Sequence, residues 1–310
     1  MRRAPRFQVD APVICVGNFT VGGEGKTPVA IALAREALAQ GHRPGFLSRG
    51  HGGSHSKPHT VDATNDSARV VGDEPLLLAR YALTIVATDR AEGARHLISE
   101  GCDLIIMDDG FQSARLHMDF ALIVVDAKRG LGNGHVIPGG PLRAPVAKQM
   151  HYLDAVVTMG RGNGADHVIR RAARAGRPVF TAAVHPVDGA EFTAKRVMAF
   201  AGIGNPEKFY DTLRVLGADV VAIRSFPDHH PFSEEELSEL VEEAEVDHLL
   251  LVTTEKDLVR IANGMPAADR FKSKIRALAV EAVFDEPQTP ARIIRQAVAA
   301  GRDRIVRRKA

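Results

Sequence analysis

Val13-Ile14-Cys15-Val16-Gly17-Asn18-Phe19-Thr20-Val21-Gly22-Gly23-Glu24-Gly25-Lys26-Thr27-Pro28 is the stretch on which the reading of this chain turns. Val13 to Val16 is an apolar run of the length of a buried strand. A glycine-rich turn follows, and beyond Gly25-Lys26-Thr27 the spacing of Ala30, Ile31, Leu33 and Ala34 predicts a helix. Strand, glycine loop, Gly-Lys-Thr and helix together compose a P-loop. Gly22, Gly23 and Gly25 let backbone N–H groups turn inward and approach a phosphate closely. The helix start near Thr27 aims its unpaired N–H groups and positive dipole end at the same place. Lys26 adds a point charge, and a unit pair about 4 Å apart is worth roughly 4 kcal/mol at an effective dielectric near 20. That outweighs the roughly 0.3–1 kcal/mol of a helix-dipole contact. Thr20, Val21, Gly22, Gly23, Glu24, Gly25, Lys26 and Thr27 are therefore the expected nucleotide cradle, with the Thr27 hydroxyl directed to Mg²⁺. Thr20 stands where the common pattern has its first glycine.

Outward from this stretch, two further segments carry chemistry. Asp103 to Gln112 is an apolar strand tipped by Asp108 and Asp109. P-loop enzymes use such a tip to hold Mg²⁺ opposite the loop hydroxyl, and in open parallel sheets the carboxyl ends of strands line the ligand crevice. Gly72-Asp73-Glu74-Pro75 precedes a helical pattern, with Pro75 at the expected first helical position and Glu74 as the expected cap. On local grounds Asp73 is either a capping residue or a base or metal partner beside the phosphates. Arg90, just past a strand end, is either a surface cation or a phosphate clamp.

The remaining segments are less decisive. Residues 128–143 form a long Gly/Pro-rich loop in which Lys128, Arg129 and Arg143 are available to an anion. Gly202-Ile203-Gly204 lacks a following Lys-Thr and reads as a tight turn before a helix. His229 and His230 sit between prolines after a strand, as loop residues or acid–base groups. Thr254-Glu255-Lys256-Asp257 has the wrong spacing for a guanine-reading motif. His51, His55 and His59 recur every four residues, but glycines and Pro58 favour a solvated loop over a metal-binding helix face. The basic end, from Gly301 to Ala310, reads as a frayed tail by default, and as a weak attraction to an anionic leaflet on the sharper reading.

With 310 residues, 45% apolar and 25% charged, the chain has enough material for one large or two medium domains. A net charge of +2 and the absence of tryptophan give no footprint for nucleic acid. Two cysteines exclude a disulfide framework, which suits the cytoplasm. No run approaches the roughly 18 apolar residues of a membrane span. The expected fold is α/β, a P-loop NTPase-type mostly parallel sheet flanked by helices, over residues 1–190. A smaller α/β domain over 191–310 is expected to close on the site.

As a set, these segments resemble the tetraacyldisaccharide 4′-kinase (lipid A 4′-kinase) family of Gram-negative bacteria. The resemblance rests on residues 16–28, on Ser48-Arg49-Gly50-His51-Gly52-Gly53, on Gly72 to Pro75 and on Asp108 to Gln112. It continues through Gly132-Asn133-Gly134, Pro138 to Arg143, Ala201 to Pro206, Asp228-His229-His230 and Thr254 to Asp257. Thr20 is itself part of that family's pattern. The resemblance implies transfer of the ATP γ-phosphoryl group to the 4′-hydroxyl of a lipid A disaccharide 1-phosphate. It further implies Asp73 as the base, assisted by His229 from the second domain. With these go Lys26 and Arg90 as catalytic cations, and Thr27, Asp108, Asp109 and Glu74 as candidate Mg²⁺ ligands. Two features depart from the family: no apolar anchoring helix precedes the first strand, and Ala144 replaces a common acidic residue. Contact with the cytoplasmic face of the inner membrane is expected to be peripheral, with no obligate protein partner. The rival expectations are a P-loop kinase or ligase with a soluble acceptor, and an NTP-hydrolysing switch or metallochaperone.

Overall fold

The computed structural model describes residues 6–50, 57–113, 115–262 and 268–310. β1 (Val13–Asn18) leads through the glycine loop into α1 (Lys26–Ala39). Then follow β2 (Pro44–Ser48), β3 (His59–Thr60), α2 (Ala68–Val71), α3 (Asp73–Leu78), β4 (Leu83–Val86) and α4 (Arg90–Ser99). β5 (Leu104–Asp108), β6 (Phe120–Asp126), α5 (Val146–Met150), β7 (Ala155–Met159), α6 (Asp166–Arg174) and β8 (Val179–Pro186) continue the chain. Next come β9 (Arg196–Ala201), α7 (Pro206–Val215), β10 (Asp219–Ser225), α8 (Glu234–Val246), β11 (Leu250–Thr254) and α9 (Glu255–Ala262). α10 (Ala268–Lys272), β12 (Ile275–Leu278), β13 (Val280–Phe284) and α11 (Thr289–Lys309) complete it.

Among the described residues these strands form two sheets. Nine strands run in the order β13-β8-β7-β6-β1-β5-β2-β4-β3, and four in the order β10-β9-β11-β12. The large sheet is parallel except at its two edges, where β3 and β13 run antiparallel to their neighbours. The small sheet is parallel throughout. β1 is central because both its faces are apolar: Ile14 and Val16 enter one core, and Val13 and Cys15 the other. A strand buried on both sides must be covered by helices on both faces, which is the logic of a parallel α/β sheet. The small sheet likewise has one core on each face.

Two expectations change here. The span 191–310 divides between the sheets: β9 to β12 make the small one, while β13 returns to pair with β8 in the large one. The basic end is not a frayed tail but the last turns of α11, which packs on α1. Arg304 and Arg308 turn inward there, Arg304 onto Asp119 and Arg308 onto Asp10. These two arginines therefore fasten the helix to Asp119 and to the segment that precedes β1.

Candidate active site

Parallel register brings the two strongest sequence signals together. Val16 of β1 lies opposite Asp108 of β5, so the glycine loop and the carboxylate tip leave the sheet at the same edge. Lys26 Nζ lies 3.9 Å from Asp109 Oδ2, and Lys26 and Thr27 are both buried. Gly25, which caps α1, has φ +88°, a left-handed conformation that glycine adopts without a Cβ penalty. It sits against Met159, whose Cγ would lie 3.1 Å from an added Cβ.

Asp108 is enclosed, and neither of its oxygens has a hydrogen-bond partner; Asp109 Oδ1 is also unpartnered. Burial, and then the nearby Glu74 charge, push the Asp108 carboxyl up to about 7. Asp109 turns its other oxygen to Arg143 Nη2 at 2.8 Å. Arg143 also donates from Nε to the Thr20 carbonyl at 3.0 Å, so the 128–143 loop is stitched to the cradle. Val21 N–H donates to Pro141 O at 2.9 Å and reinforces that seam. Arg90 is buried within electrostatic reach of the pair, with Nη1 donating to Ala87 O at 3.2 Å. Burial lowers its pKa, and the charges of Asp108 and Asp109 act against that. Glu24 is a buried carboxyl within the cradle: it accepts from the Thr20 hydroxyl, and its Oε2 has no partner. Burial pushes it up to about 7, against the Thr20 hydrogen bond and the Lys26 charge.

On the other side of the crevice stands α3. It begins at Asp73, with Gly72 at φ +92° preceding it, so the helix starts before the expected cap at Glu74. Asp73 Oδ2 lies 3.2 Å from His229 Nδ1, and Asp73 Oδ1 accepts the Glu74 N–H at 2.9 Å. Burial raises the Asp73 carboxyl, but the His229 hydrogen bond and the Lys256 and Arg260 cations outweigh it and hold it well below the usual range. His229 is shifted the other way, raised by its bond to Asp73. Its φ of +59° is uncommon for a side-chain-bearing residue. Glu74 Oε1 accepts from Lys256 Nζ at 2.6 Å. Lys256 also lies within electrostatic reach of Asp73 and Asp108, which joins the α3 side of the crevice to the β5 tip.

Sequence reasoning missed Arg260 and the pairing partner of Glu74. The signal was Thr254 to Asp257, whose Lys256 and Asp257 turn out to face α3 and its partners. Gly202-Ile203-Gly204 is a turn before α7, as expected, and its Gly202 carbonyl accepts the His229 N–H at 3.0 Å. His51 and His55 lie outside the described residues, while His59 Nε2 pairs with Asp66 at 2.7 Å. Among the described residues, no group of three or more His, Cys, Asp or Glu side chains is disposed to hold a metal.

Fold and site together define an α/β protein of the P-loop type, in which Glu74 and Lys256 link the carboxylate tip of β5 electrostatically to an aspartate–histidine pair. The sequence profile of the tetraacyldisaccharide-1-P 4′-kinase family matches residues 2–299. The chain belongs to that family. A relative from Chelativorans sp. (strain BNC1), named tetraacyldisaccharide 4′-kinase, is 62% identical over 308 residues, covering 99% of this chain and 90% of the relative. One of the same name from Mesorhizobium japonicum is 54% identical, with the same coverage. Among solved structures, the fold matches the "apo" form of LpxK from Aquifex aeolicus in complex with ATP. The TM-score is 0.72 at 25% identity, over 95% of this chain and 91% of that one.

Proposed function

We propose that this chain transfers the γ-phosphoryl group of ATP to the 4′-hydroxyl of a tetraacyldisaccharide 1-phosphate, a step of lipid A assembly. One observation carries the reading: a buried lysine in a glycine cradle meets a carboxylate-tipped strand, and an Asp–His pair stands across the same crevice. Phosphoryl transfer asks a protein mainly for positioning and charge stabilisation, and these residues supply both. The loop N–H groups and Lys26 bind and orient the β/γ-phosphates. Arg90 lends positive charge within electrostatic reach of the Asp108–Asp109 tip, where burial makes that charge act at low dielectric.

Mg²⁺ fits the donors present. Asp108 offers two buried, unpartnered oxygens, a costly arrangement unless a cation offsets it. Thr27, Asp108 and Asp109 would hold the ion, and Mg²⁺ would supply neutralisation of phosphate charge; Glu74, expected as a further ligand, is engaged by Lys256 instead. A magnesium site completed by substrate oxygens needs no all-protein cage. Asp73 and His229 act on the acceptor alcohol. The imidazole is the more exposed member, at 56% against 7% for the carboxylate, so we assign it to the acceptor side and Asp73 to its orientation, the reverse of the roles expected from the sequence. The proton leaving the hydroxyl is taken up by this pair.

The test is mass spectrometry of the lipid after incubation with ATP and Mg²⁺, with soluble sugars as competing acceptors. The lipid is expected to gain one phosphate and the sugars none. Asp73→Asn and His229→Ala are each expected to lower transfer about 10²- to 10⁴-fold, the usual worth of acid–base assistance. Near wild-type rates in both variants would remove the pair from the mechanism.

We also propose peripheral contact with the inner membrane on the cradle side. Among the described residues no helix is long and apolar enough to cross a bilayer. Val21, Val136 and Ile137 are exposed on the two loops joined at the cradle. Single apolar residues on a surface need no explanation, but three beside a lipid-phosphorylating crevice suit the acyl end of the substrate. Ile137→Asp is expected to weaken flotation with anionic vesicles while leaving ATP binding intact; unchanged flotation rejects this face.

A further inference from the structure

Arg260 is a buried cation that the mechanism above leaves without a part. It lies in α9 of the small-sheet half. Nε and Nη2 fork onto Asp73 Oδ2 at 3.1 and 2.7 Å. Nη1 donates to Asp257 Oδ1 at 2.6 Å and to the Gly202 carbonyl at 2.7 Å. That same carbonyl accepts the backbone N–H of His229 at 3.0 Å. One planar group thus grips the Asp73 carboxylate directly and reaches the His229 backbone through a single shared oxygen. Asp257 is braced in turn by the Thr254 hydroxyl at 2.6 Å and the Gly202 N–H at 3.1 Å.

We propose that Arg260 is the positioning residue of the Asp73–His229 pair, and that the Thr254–Arg260 segment thereby couples the small sheet to the acceptor side of the crevice. A buried ion pair is weak evidence for stability, since desolvation offsets much of the attraction. What this one adds is geometry. With Arg260 on Oδ2 and Glu74 N–H on Oδ1, the carboxylate cannot turn, and its remaining approach on Oδ2 is filled by His229. The imidazole presents its other nitrogen, Nε2, 3.9 Å from Asp228 Oδ1, on a backbone whose positive φ is secured by the Gly202 bond. A lysine would keep the positive charge but lose the fork, because an ammonium is a point charge without planar, paired donors.

This inference rests on the proposed function, so the experiment separates the two. Full-length wild type, Arg260→Lys, His229→Ala and the double variant are assayed for phosphate transfer to the tetraacylated disaccharide at varied ATP. Arg260→Lys is expected to lower kcat about 10- to 100-fold, the scale of a misplacement of order 1 Å. The KM for ATP should stay within about twofold, because no contact to the cradle is lost. In the His229→Ala background the added loss should shrink to about threefold or less, as expected of residues acting as a unit. Full additivity, or an undiminished kcat in Arg260→Lys, overturns the inference while leaving the kinase reading intact. A wild type that leaves the lipid unphosphorylated overturns both. Should Arg260→Lys fail to fold, Asp257→Asn carries the test with the same signature at smaller size, and a wild-type kcat there overturns the inference.

Discussion

Glu24 sets a carboxyl inside a pocket built for phosphate, and its chemistry follows from that position. Burial raises it from an ordinary 4.5 to about 7, so the folded protein holds this proton more tightly than the unfolded chain does. Its contribution to stability is therefore full below pH 4.5 and is lost as pH rises to about 7. At 1.36 kcal/mol per unit the loss is of order 3 kcal/mol above that window. Glu24→Gln is expected to match the wild type in thermal midpoint near pH 4 and to exceed it near pH 8, and midpoints compared across that range check the sign. At this scale Lys26, Thr27 and the Asp108–Asp109 tip were legible in the sequence, because each sits at a fixed offset from a strand end. Glu24 was legible only as a loop position. That it is buried beside Thr20 depends on the 128–143 loop folding over the cradle, a contact between residues more than a hundred apart. Arg260 was not legible either, since three of the four hydrogen bonds described above go to Asp73 and Gly202 rather than to its own turn.

Among the elements, β1 depends on Gly17 for a reason the motif does not reveal. A Cβ there would lie 2.5 Å from Phe111 Cβ, and Phe111 is fully buried just beyond the Asp108–Asp109 tip. Gly17→Ala must push β1 and the β5 tip apart, so a cost of about 1–3 kcal/mol is expected, as for overpacked cores. A lower urea midpoint with an unchanged slope would register it. α8 shows how a helix start can serve the site. Ser233 and Glu236 form a capping box, and Glu236 also bonds His230 at 2.9 Å, next to His229. β1, β2, β4, β5, β6 and β7 were legible because they are short apolar runs, whereas β3, the two polar residues His59 and Thr60 at the sheet edge, was not. β12 and β13 were not, since Arg276 and Glu281 interrupt the pattern where these strands edge their sheets. α11 read as a loose basic end because its charges were counted without the carboxylates that receive them.

At the level of the whole molecule, those last two elements govern cohesion. Arg304 of α11 bonds Asp119 through Nε at 2.7 Å and Nη2 at 2.9 Å, and the Asp119 side chain is nearly sealed from solvent. Its remaining donors reach the Val9 and Ala11 carbonyls, so the two ends of the described chain are clasped beside β1. Arg304→Ala leaves the buried carboxylate with His117 and the Val13 N–H as its partners and is expected to cost about 3 kcal/mol in urea unfolding. Transfer activity should survive at temperatures well below the lowered midpoint. The return of β13 also determines how the small half can move. The chain leaves for it along β8 and comes back along β13, two paired strands, with Val187 N–H still bonded to Ala279 O at 2.9 Å where they part. A body hung from two adjacent threads can rock about the line of its suspension but cannot spin or drift away. The two strands thus hold the small half where α9 packs on α3 and the Arg260 fork meets Asp73.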